Sequence, residues 1–374
     1  MIYFDNSATT FPKPKCVYDA LDYANRNLAF NAGRGQYNKA VEASNYIIEA
    51  RKQIASFINC DYKSVTFLSS ATESLNLIIN GLKIVDGDNI YISPFEHNAI
   101  VRPLYNLQRK IKFNIFIIPF LKESWDVDFV KLKNMFAASN PKAILLSSVS
   151  NVTGFKLPYS LIFGEAKKYS SINILDCAQS YGVIDTNKKD VDFIVFAGHK
   201  TLYASFGVAG FINLTNYELE IVKSGGNGSD SLNHYMPDKY YERYESGSPN
   251  IVAIYGLIES CKWLKENDVF IKEEELTKYL IEQLRKNLKI EIYAPDNTDL
   301  FGIVSINVEG YTPDDVASIL SDEFDICTRS GFHCSPFVHE FIGSLSKSGT
   351  VRISLGAFNT KQEIDILIEA LNTL

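Results

Sequence analysis

One stretch of the sequence limits the possible folds of this chain more than any other. Residues 191–197 are mostly apolar and β-branched or aromatic, a composition typical of a buried strand. Gly198, His199 and Lys200 follow the run directly. Open α/β sheets bind ligands beyond the carboxyl ends of their strands, so Lys200 is a candidate for chemistry, for instance as an amine that forms a Schiff base. The alternative is an ordinary surface lysine in a loop.

A second apolar run, residues 171–175, also ends in polar groups, which begin at Asp176. Asp176 and Lys200 lie 24 positions apart, a separation that fits one strand–crossover–strand unit. We therefore expect a carboxylate and an amine at the ends of neighbouring strands. A pyridoxal phosphate site requires this pair, because the amine binds the cofactor and the carboxylate keeps its pyridine nitrogen protonated. A structural ion pair is the alternative.

The two motifs together resemble a known family. Asp176-Cys-Ala-Gln179 followed by Gly198-His-Lys-Thr201 is similar to the class V aminotransferases, a group of fold type I pyridoxal phosphate enzymes, and most of all to cysteine desulfurases and selenocysteine lyases. The resemblance implies an α/β fold, with a large domain on a mostly parallel seven-stranded sheet flanked by helices and a smaller α+β C-terminal domain. The expected domains are residues 12–255 and 256–374, with residues 1–11 packing on the smaller one.

The bulk composition excludes several other classes of protein. The chain has 374 residues, 46% of them hydrophobic, and a net charge of −7 without a basic run, which argues against nucleic-acid binding. Its longest apolar stretch, residues 113–120, is too short to span a membrane, and the N-terminus lacks a signal-peptide pattern. Six cysteines without a Cys-x-x-Cys pair do not form a disulfide framework. We expect a cytoplasmic enzyme.

The polar segment 69–74, between a predicted strand and a predicted helix over residues 75–82, matches the family's phosphate-binding turn. Free N–H groups at a helix N-terminus suit a phosphate, although such residues are also plain N-caps. The resemblance implies that His97 stacks on the pyridine ring, although a lone histidine is commonly just a loop residue. It assigns cofactor binding to Ala71, Thr72, His97, Asn151, Asp176, Ala178, Gln179, His199, Lys200, Gly247 and Ser248.

The last two of these residues, Gly247 and Ser248, match family positions that reach the phosphate of a partner subunit, so the resemblance implies a homodimer.

Two departures from the family pattern lie near Lys200 in the sequence. Ala197 replaces a serine or threonine that often contacts the phosphate, and we expect weaker phosphate binding unless other donors compensate. Ala204-Ser205 replaces a common Gly-Pro.

The segment 326–336 carries the motif that separates functions within the family. Cys334 follows His333 and lies near Arg329, and positive neighbours lower the pKa of a thiol. The pattern Arg-x-Gly-x-His-Cys matches the desulfurase signature, with Cys334 as the sulfur acceptor. The alternatives are an inert cysteine or a zinc site whose spacing fits no standard pattern, using Cys327, His333, Cys334 and His339. We expect no metal.

The strand predicted over residues 350–354 carries Arg352 among apolar neighbours, which suits bidentate binding of a carboxylate better than exposure to solvent. Arg352 matches the family's arginine for the substrate carboxylate. The resemblance assigns substrate binding to Ala8, Thr9, Arg34, Asn151, Arg329 and Arg352.

The resemblance implies a cysteine desulfurase that converts L-cysteine to L-alanine and carries the sulfur as a persulfide on Cys334, with a sulfur-acceptor protein as a possible partner. Lys200, Cys334 and His97 are the expected catalytic residues. Within the family, a selenocysteine lyase, a cysteine sulfinate desulfinase and a true aminotransferase remain open. A non-catalytic scaffold on the same fold is the alternative from a different class.

Overall fold

The computed structural model describes residues 1–32, 35, 37–228, 231–238, 240–296 and 298–374, so Arg34 lies outside the described residues. The strands are β1 (Ile2–Tyr3), β2 (Val65–Leu68), β3 (Asn89–Ile92), β4 (Asn114–Ile117), β5 (Pro141–Ser147), β6 (Ile172–Asp176), β7 (Phe193–Ala197), β8 (Ala209–Asn213), β9 (Ile290–Ile292), β10 (Ile303–Val308), β11 (Ile326–Cys327), β12 (Arg329–Gly331) and β13 (Thr350–Ser354). The α-helices are α1 (Lys15–Asn27), α2 (Asn38–Ser56), α3 (Ala71–Gly81), α4 (Asn98–Gln108), α5 (Phe129–Ala138), α6 (Tyr159–Ala166), α7 (Ile251–Glu266), α8 (Val269–Leu284), α9 (Pro313–Phe324), α10 (Val338–Phe341) and α11 (Lys361–Asn372).

Seven strands form the large sheet, in the order β2-β8-β7-β6-β5-β3-β4. Only β8 runs antiparallel to its neighbours, so the predicted mostly parallel seven-stranded sheet is confirmed. All five residues of β6 and all five of β7 are buried, because the sheet is covered on both faces. This explains why β7 is a continuous apolar run and why the buried Asn173 of β6 needs partners, the carbonyl oxygens of Phe163 and Asp190, for its side-chain amide.

The large sheet brings Asp176 and Lys200 to the same edge. Strands β6 and β7 are parallel neighbours, with Asp176 opposite Val195. Asp176 therefore ends one strand close to the point where the other continues into Lys200. This edge, beyond the carboxyl ends of the strands, is where open α/β sheets place their ligands.

A second, antiparallel sheet in the order β12-β13-β10-β9 lies in the C-terminal part of the chain. The N-terminal strand β1 joins this part by pairing in parallel with β11, and Phe4 packs into the same hydrophobic cluster as β10, β13 and α11. The first residues thus contact the C-terminal part, while the exact domain boundaries remain a prediction.

Helix α3 differs in its bounds from the sequence-based expectation. It begins at Ala71 rather than at residue 75, because the Ser70 side chain accepts a hydrogen bond from the Glu73 N–H and caps the helix there. Within the described ranges, none of the helices is both long and apolar enough to cross a membrane.

Candidate active site

A small cavity opens at the carboxyl edge of the large sheet, between the ends of β5, β6 and β7 and the N-terminus of α3. Nine of the predicted cofactor-binding residues line it: Ala71, Thr72, His97, Asn151, Asp176, Ala178, Gln179, His199 and Lys200. Gly247 and Ser248 line a different cavity, together with Ser69 and Glu73. A single subunit therefore does not place Gly247 and Ser248 beside Lys200.

Lys200 and Asp176 form the electrostatic centre of this cavity. Burial lowers the pKa of the Lys200 ammonium to about 8, although the negative charge of Asp176 opposes this shift. Burial also raises the pKa of Asp176, while the N–H of Ala178 donates to its Oδ1 at 2.9 Å and favours the ionised form. The cavity thus holds an amine that is readily deprotonated and a carboxylate that is oriented by the backbone.

The N-terminal segment holds the turn that carries Lys200. The carbonyl oxygen of His199 accepts hydrogen bonds from the Thr9 hydroxyl at 3.0 Å, the Thr10 N–H at 3.1 Å and the Lys13 ammonium at 2.9 Å. Burial lowers the pKa of Lys13 to about 7. The hydroxyl of Thr9, predicted to lie near the substrate, is thus bonded to the backbone beside Lys200. Sequence reasoning missed Lys13, since nothing in the local pattern links it to residue 199.

The N-terminus of α3 borders the cavity at the predicted phosphate-binding turn. Ser70 caps the Glu73 N–H, which leaves the N–H groups of Ala71 and Thr72 without a partner inside the helix. His199 also lines the cavity, and its Nδ1 atom is buried without a hydrogen-bond partner among the described residues. The free N–H groups of α3, together with Nδ1 of His199 in the tautomer that is protonated there, fit an anionic group such as a phosphate, even though Ala197 contributes no hydroxyl.

His97 caps helix α4 and is held neutral. Its Nδ1 accepts a hydrogen bond from the Ala99 N–H at 3.0 Å. Burial, followed by the positive charges of Lys200 and Arg329, lowers the pKa of His97 to about 3. The preceding residue, Glu96, is fully buried, and the Ser93 and Ser147 hydroxyls donate to its carboxylate. A neutral imidazole anchored through Nδ1 leaves its ring face available for stacking.

The Cys334 loop is anchored to the cavity by Asn151. The Nδ2 of Asn151 donates to the carbonyl of His333 at 2.8 Å, and its Oδ1 accepts from the Ser335 hydroxyl at 2.8 Å. The carbonyl of Cys334 itself accepts the Asn98 N–H at 2.7 Å. His333 and Cys334 both adopt left-handed backbone conformations, with φ of 46° and 59°. The loop is therefore tied in place on both sides of the exposed cysteine.

Of the two positive neighbours expected for Cys334, only one is charged. His333 is buried, its Nε2 lies 3.0 Å from the carbonyl oxygen of Thr350, and burial lowers its pKa to about 2. The expectation that His333 supplies positive charge was therefore wrong, because a desolvated imidazole among arginines stays neutral. Arg329 does supply charge, since its Nη2 lies 3.8 Å from the Sγ of Cys334.

The zinc alternative has no support in the part of the chain that the structure describes. His339 bonds through Nδ1 to the Ser344 hydroxyl at 2.7 Å, and His333 is bonded to Thr350. No three His, Cys, Asp or Glu side chains among the described residues are grouped so that they could hold a metal ion.

Arg352 is nearly inaccessible and already has two partners. Its Nη2 donates to Asp5 at 2.6 Å and its Nη1 donates to the carbonyl of Asn151 at 2.9 Å, while its buried Nε has no described partner. Arg329 lies directly opposite it on β12. Two guanidinium groups thus lie on neighbouring strands, and three of the five N–H groups of Arg352 make no hydrogen bond to a described residue. Sequence reasoning did not identify Asp5 as the partner of Arg352.

Comparison with known proteins agrees with this geometry. Residues 2–367 match the family model "Aminotransferase class-V". A "Probable cysteine desulfurase" from Pyrococcus abyssi is 31% identical over an alignment that is 386 positions long and covers 100% of this chain and 94% of the relative. A "Cysteine desulfurase" from Serratia proteamaculans is 29% identical, and the alignment covers 100% of this chain and 93% of that relative. The apo structure of a cysteine desulfurase from Thermococcus onnurineus NA1 superposes with a TM-score of 0.91 at 30% identity, covering 100% of this chain and 95% of that one. Two motifs at strand ends, the nine residues around Lys200 and a match over nearly the full length lead to one conclusion: the chain belongs to the class V aminotransferase family.

Proposed function

We propose that this protein is a pyridoxal phosphate-dependent cysteine desulfurase, which converts L-cysteine to L-alanine and holds the sulfur as a persulfide on Cys334. One observation carries the proposal: an exposed cysteine, contacted by the Arg329 guanidinium, sits on a loop that is anchored through Asn151 to the Lys200 cavity. The relatives and the solved structure named as cysteine desulfurases support the same activity.

The residues around the cavity fit pyridoxal phosphate. Lys200 would hold its aldehyde carbon, Asp176 its pyridine nitrogen, the face of His97 its ring, and the N–H groups of Ala71 and Thr72 its phosphate. When bound, the cofactor supplies an electron sink for the carbanion at the substrate Cα.

The chain's own groups perform the remaining steps. The guanidinium of Arg352 binds the substrate carboxylate through N–H groups that make no hydrogen bond to a described residue. Lys200 takes the Cα proton, a task suited to an amine whose pKa is lowered to about 8. The thiolate of Cys334 attacks the substrate sulfur, so that the Sγ–S bond forms as the Cβ–S bond breaks and the bonding electron pair stays on the carbon that becomes the methyl group of alanine.

The active unit that we propose is a homodimer. Gly247 and Ser248 lie outside the Lys200 cavity of their own subunit, and they match family positions that contact the partner's cofactor. Phosphate donors from a second subunit would also compensate for the missing hydroxyl at Ala197.

A true aminotransferase is less well supported than a desulfurase. Transfer of an amino group requires Lys200 and Asp176 but no thiol. An aminotransferase mechanism does not use the thiol of Cys334, which Arg329 contacts and which lies between His333 and Ser335, the two residues bonded to Asn151.

The decisive variant is Cys334→Ser, with Cys327→Ser as the matched control on the neighbouring strand. We expect Cys334→Ser to keep the cofactor absorbance yet to release alanine and sulfide from L-cysteine at least ~100-fold more slowly, because the nucleophile is gone. Cys327→Ser should behave as wild type. Full activity of Cys334→Ser, or transfer of the amino group to a keto acid by the wild type, would establish the aminotransferase instead. Undiminished activity of Cys334→Ser on selenocysteine alone would indicate a selenocysteine lyase.

A further inference from the structure

A second cavity lies outside the Lys200 cavity, between helices α3 and α4. We call it the outer groove, and it has a volume of about 420 Å³. Its polar walls come from Thr72, Asn76, Asn98, Arg102 and Asn106, and Cys334 lies at its edge. This volume falls within the range of small-molecule sites rather than of flat protein–protein contacts.

The outer groove continues directly from the Lys200 cavity. Thr72, His97 and Ala99 line both spaces, whereas Cys334 lines only the outer groove and Lys200 only the inner cavity. A sulfur atom bound to Cys334 would therefore be accessible from the groove. The Lys200 cavity, where the proposed substrate would bind, thus lies on one side, and the outer groove, which has no role so far, lies on the side of Cys334.

The groove offers side-chain donors that are not otherwise used. Asn98, Arg102 and Asn106 follow one another at i, i+4 and i+8, so they share one face of α4. None of these three side chains makes a hydrogen bond or ion pair to a residue that the structure describes, and Arg102 is exposed. Burial and then the charges of Lys200, Arg329 and Arg352 lower the pKa of His97, and the charge of Arg102 adds a smaller contribution in the same direction.

The ligand that fits these walls is an anion held by side chains. Helix α4 contributes side chains rather than backbone donors, because the N–H groups of Asn98 and Ala99 donate to the Cys334 carbonyl and to His97. Among the described residues that line the groove, Arg102 is the only charged one and none is acidic. In a chain of net charge −7, such a wall favours a carboxylate.

We propose that the outer groove binds a small thiol bearing a carboxylate group, and that this thiol takes the sulfur from Cys334. The step rests on the proposed desulfurase function. The thiolate of the acceptor attacks the outer sulfur of the Cys334 persulfide, its S–S bond forms as the bond between Sγ and that sulfur breaks, and Cys334 leaves as thiolate. Electrons balance without an oxidant or a reductant.

The first experiment tests the groove without any desulfurase activity. Cys334 in the holoenzyme is alkylated with anionic iodoacetate or neutral iodoacetamide, and the rate at Cys334 is followed by peptide mass spectrometry. Arg102→Gln should lower the ratio of the iodoacetate rate to the iodoacetamide rate by about fivefold, the upper range for an exposed ion pair. The control Arg109→Gln removes the same charge from the end of the same helix, outside the groove, and should leave the ratio unchanged. An unchanged ratio in Arg102→Gln would overturn the proposal.

The second experiment follows sulfur transfer. Persulfide is loaded on Cys334 with one equivalent of L-cysteine and is then discharged with 3-mercaptopropionate or the neutral 2-mercaptoethanol. We expect Arg102→Gln to slow discharge to the carboxylate thiol by about fivefold and to leave discharge to the neutral thiol unchanged. Equal slowing of discharge to both thiols in Arg102→Gln, unchanged discharge to the carboxylate thiol in that variant, or discharge only to an acceptor protein, would refute a carboxylate-thiol site. Failure to load any persulfide would refute the proposed function, while the alkylation result would still decide on the groove.

Discussion

At the scale of single residues, Arg352 already has an anionic partner, whereas the sequence suggested a guanidinium that is free to bind a carboxylate. Asp5 binds its Nη2 at 2.6 Å, and only 2% of the arginine side chain is exposed. Removing one partner of such a buried pair is costly, because the other charge remains desolvated. Asp5 therefore orients the Arg352 guanidinium and partly neutralises its charge.

This arrangement predicts that Asp5→Ala weakens substrate binding. Without Asp5, the guanidinium keeps only the Asn151 carbonyl as an anchor, so we expect the KM for L-cysteine to rise about tenfold, with a smaller change in kcat. Asp5→Asn retains an acceptor oxygen and should rescue most of the loss. Steady-state kinetics on both variants measures this difference, and an unchanged KM in Asp5→Ala would show that Asp5 does not position Arg352.

At the scale of elements, helix α8 is connected to the turn that carries Lys200. Glu273 on α8 is buried and accepts a hydrogen bond from the Tyr203 hydroxyl at 2.6 Å. The same hydroxyl accepts the Ala357 N–H at 2.6 Å, and the Tyr203 N–H donates to the Lys200 carbonyl at 2.8 Å. Three distant segments thus meet at Tyr203, close to Lys200.

The buried carboxyl of Glu273 predicts a pH-dependent stability. Burial raises its pKa to about 7, so the folded state binds a proton more tightly than the unfolded state does. The resulting stabilisation is complete below about pH 4 and is lost as the pH rises through about 7, a difference of up to ~3 kcal/mol in the free energy of unfolding.

Urea unfolding at pH 5 and pH 8 measures this contribution. Glu273→Gln keeps an acceptor for Tyr203 but cannot titrate, so its free energy of unfolding should fall less between the two pH values than that of the wild type. Glu274→Gln, next along α8 and paired with Lys278 at the surface, should retain the wild-type pH dependence. If Glu273→Gln retains it as well, the carboxyl of Glu273 does not titrate in this range.

At the scale of the whole molecule, the site within one subunit has its amine, carboxylate, thiol and two arginines but not Gly247 and Ser248. A homodimer with two-fold symmetry would place the same segment of each subunit beside the cofactor of the other. Each site would then depend on both chains.

Complementation tests this shared site. Lys200→Ala and Ser248→Asp subunits, each inactive as a homodimer, are coexpressed with different tags and the heterodimer is purified. One of its two sites then combines an intact Lys200 with an intact Ser248, so about half of the wild-type activity should return. An inactive heterodimer, or a fully active monomer in sedimentation analysis, would contradict the shared site.

The sequence by itself determined the features that depend on short stretches of chain. The apolar runs before Asp176 and Lys200 predicted two neighbouring buried strands, because a strand that is covered on both faces buries nearly all of its side chains and is therefore mostly apolar. The parallel arrangement then places both polar ends at one edge of the sheet. The thiol at Cys334 and its neighbour Arg329 were likewise recognisable, since only five positions separate them.

Only the tertiary structure decided which distant groups meet and which of them are charged. Asp5 and Arg352 are 347 positions apart, and Lys13 reaches the His199 carbonyl across 186. The charge of His333 depends on its burial rather than on its place beside Cys334. The physical reason is common to these cases: hydrogen-bond partners and desolvation are set by the residues that surround a group in space, and a local sequence pattern does not specify those residues.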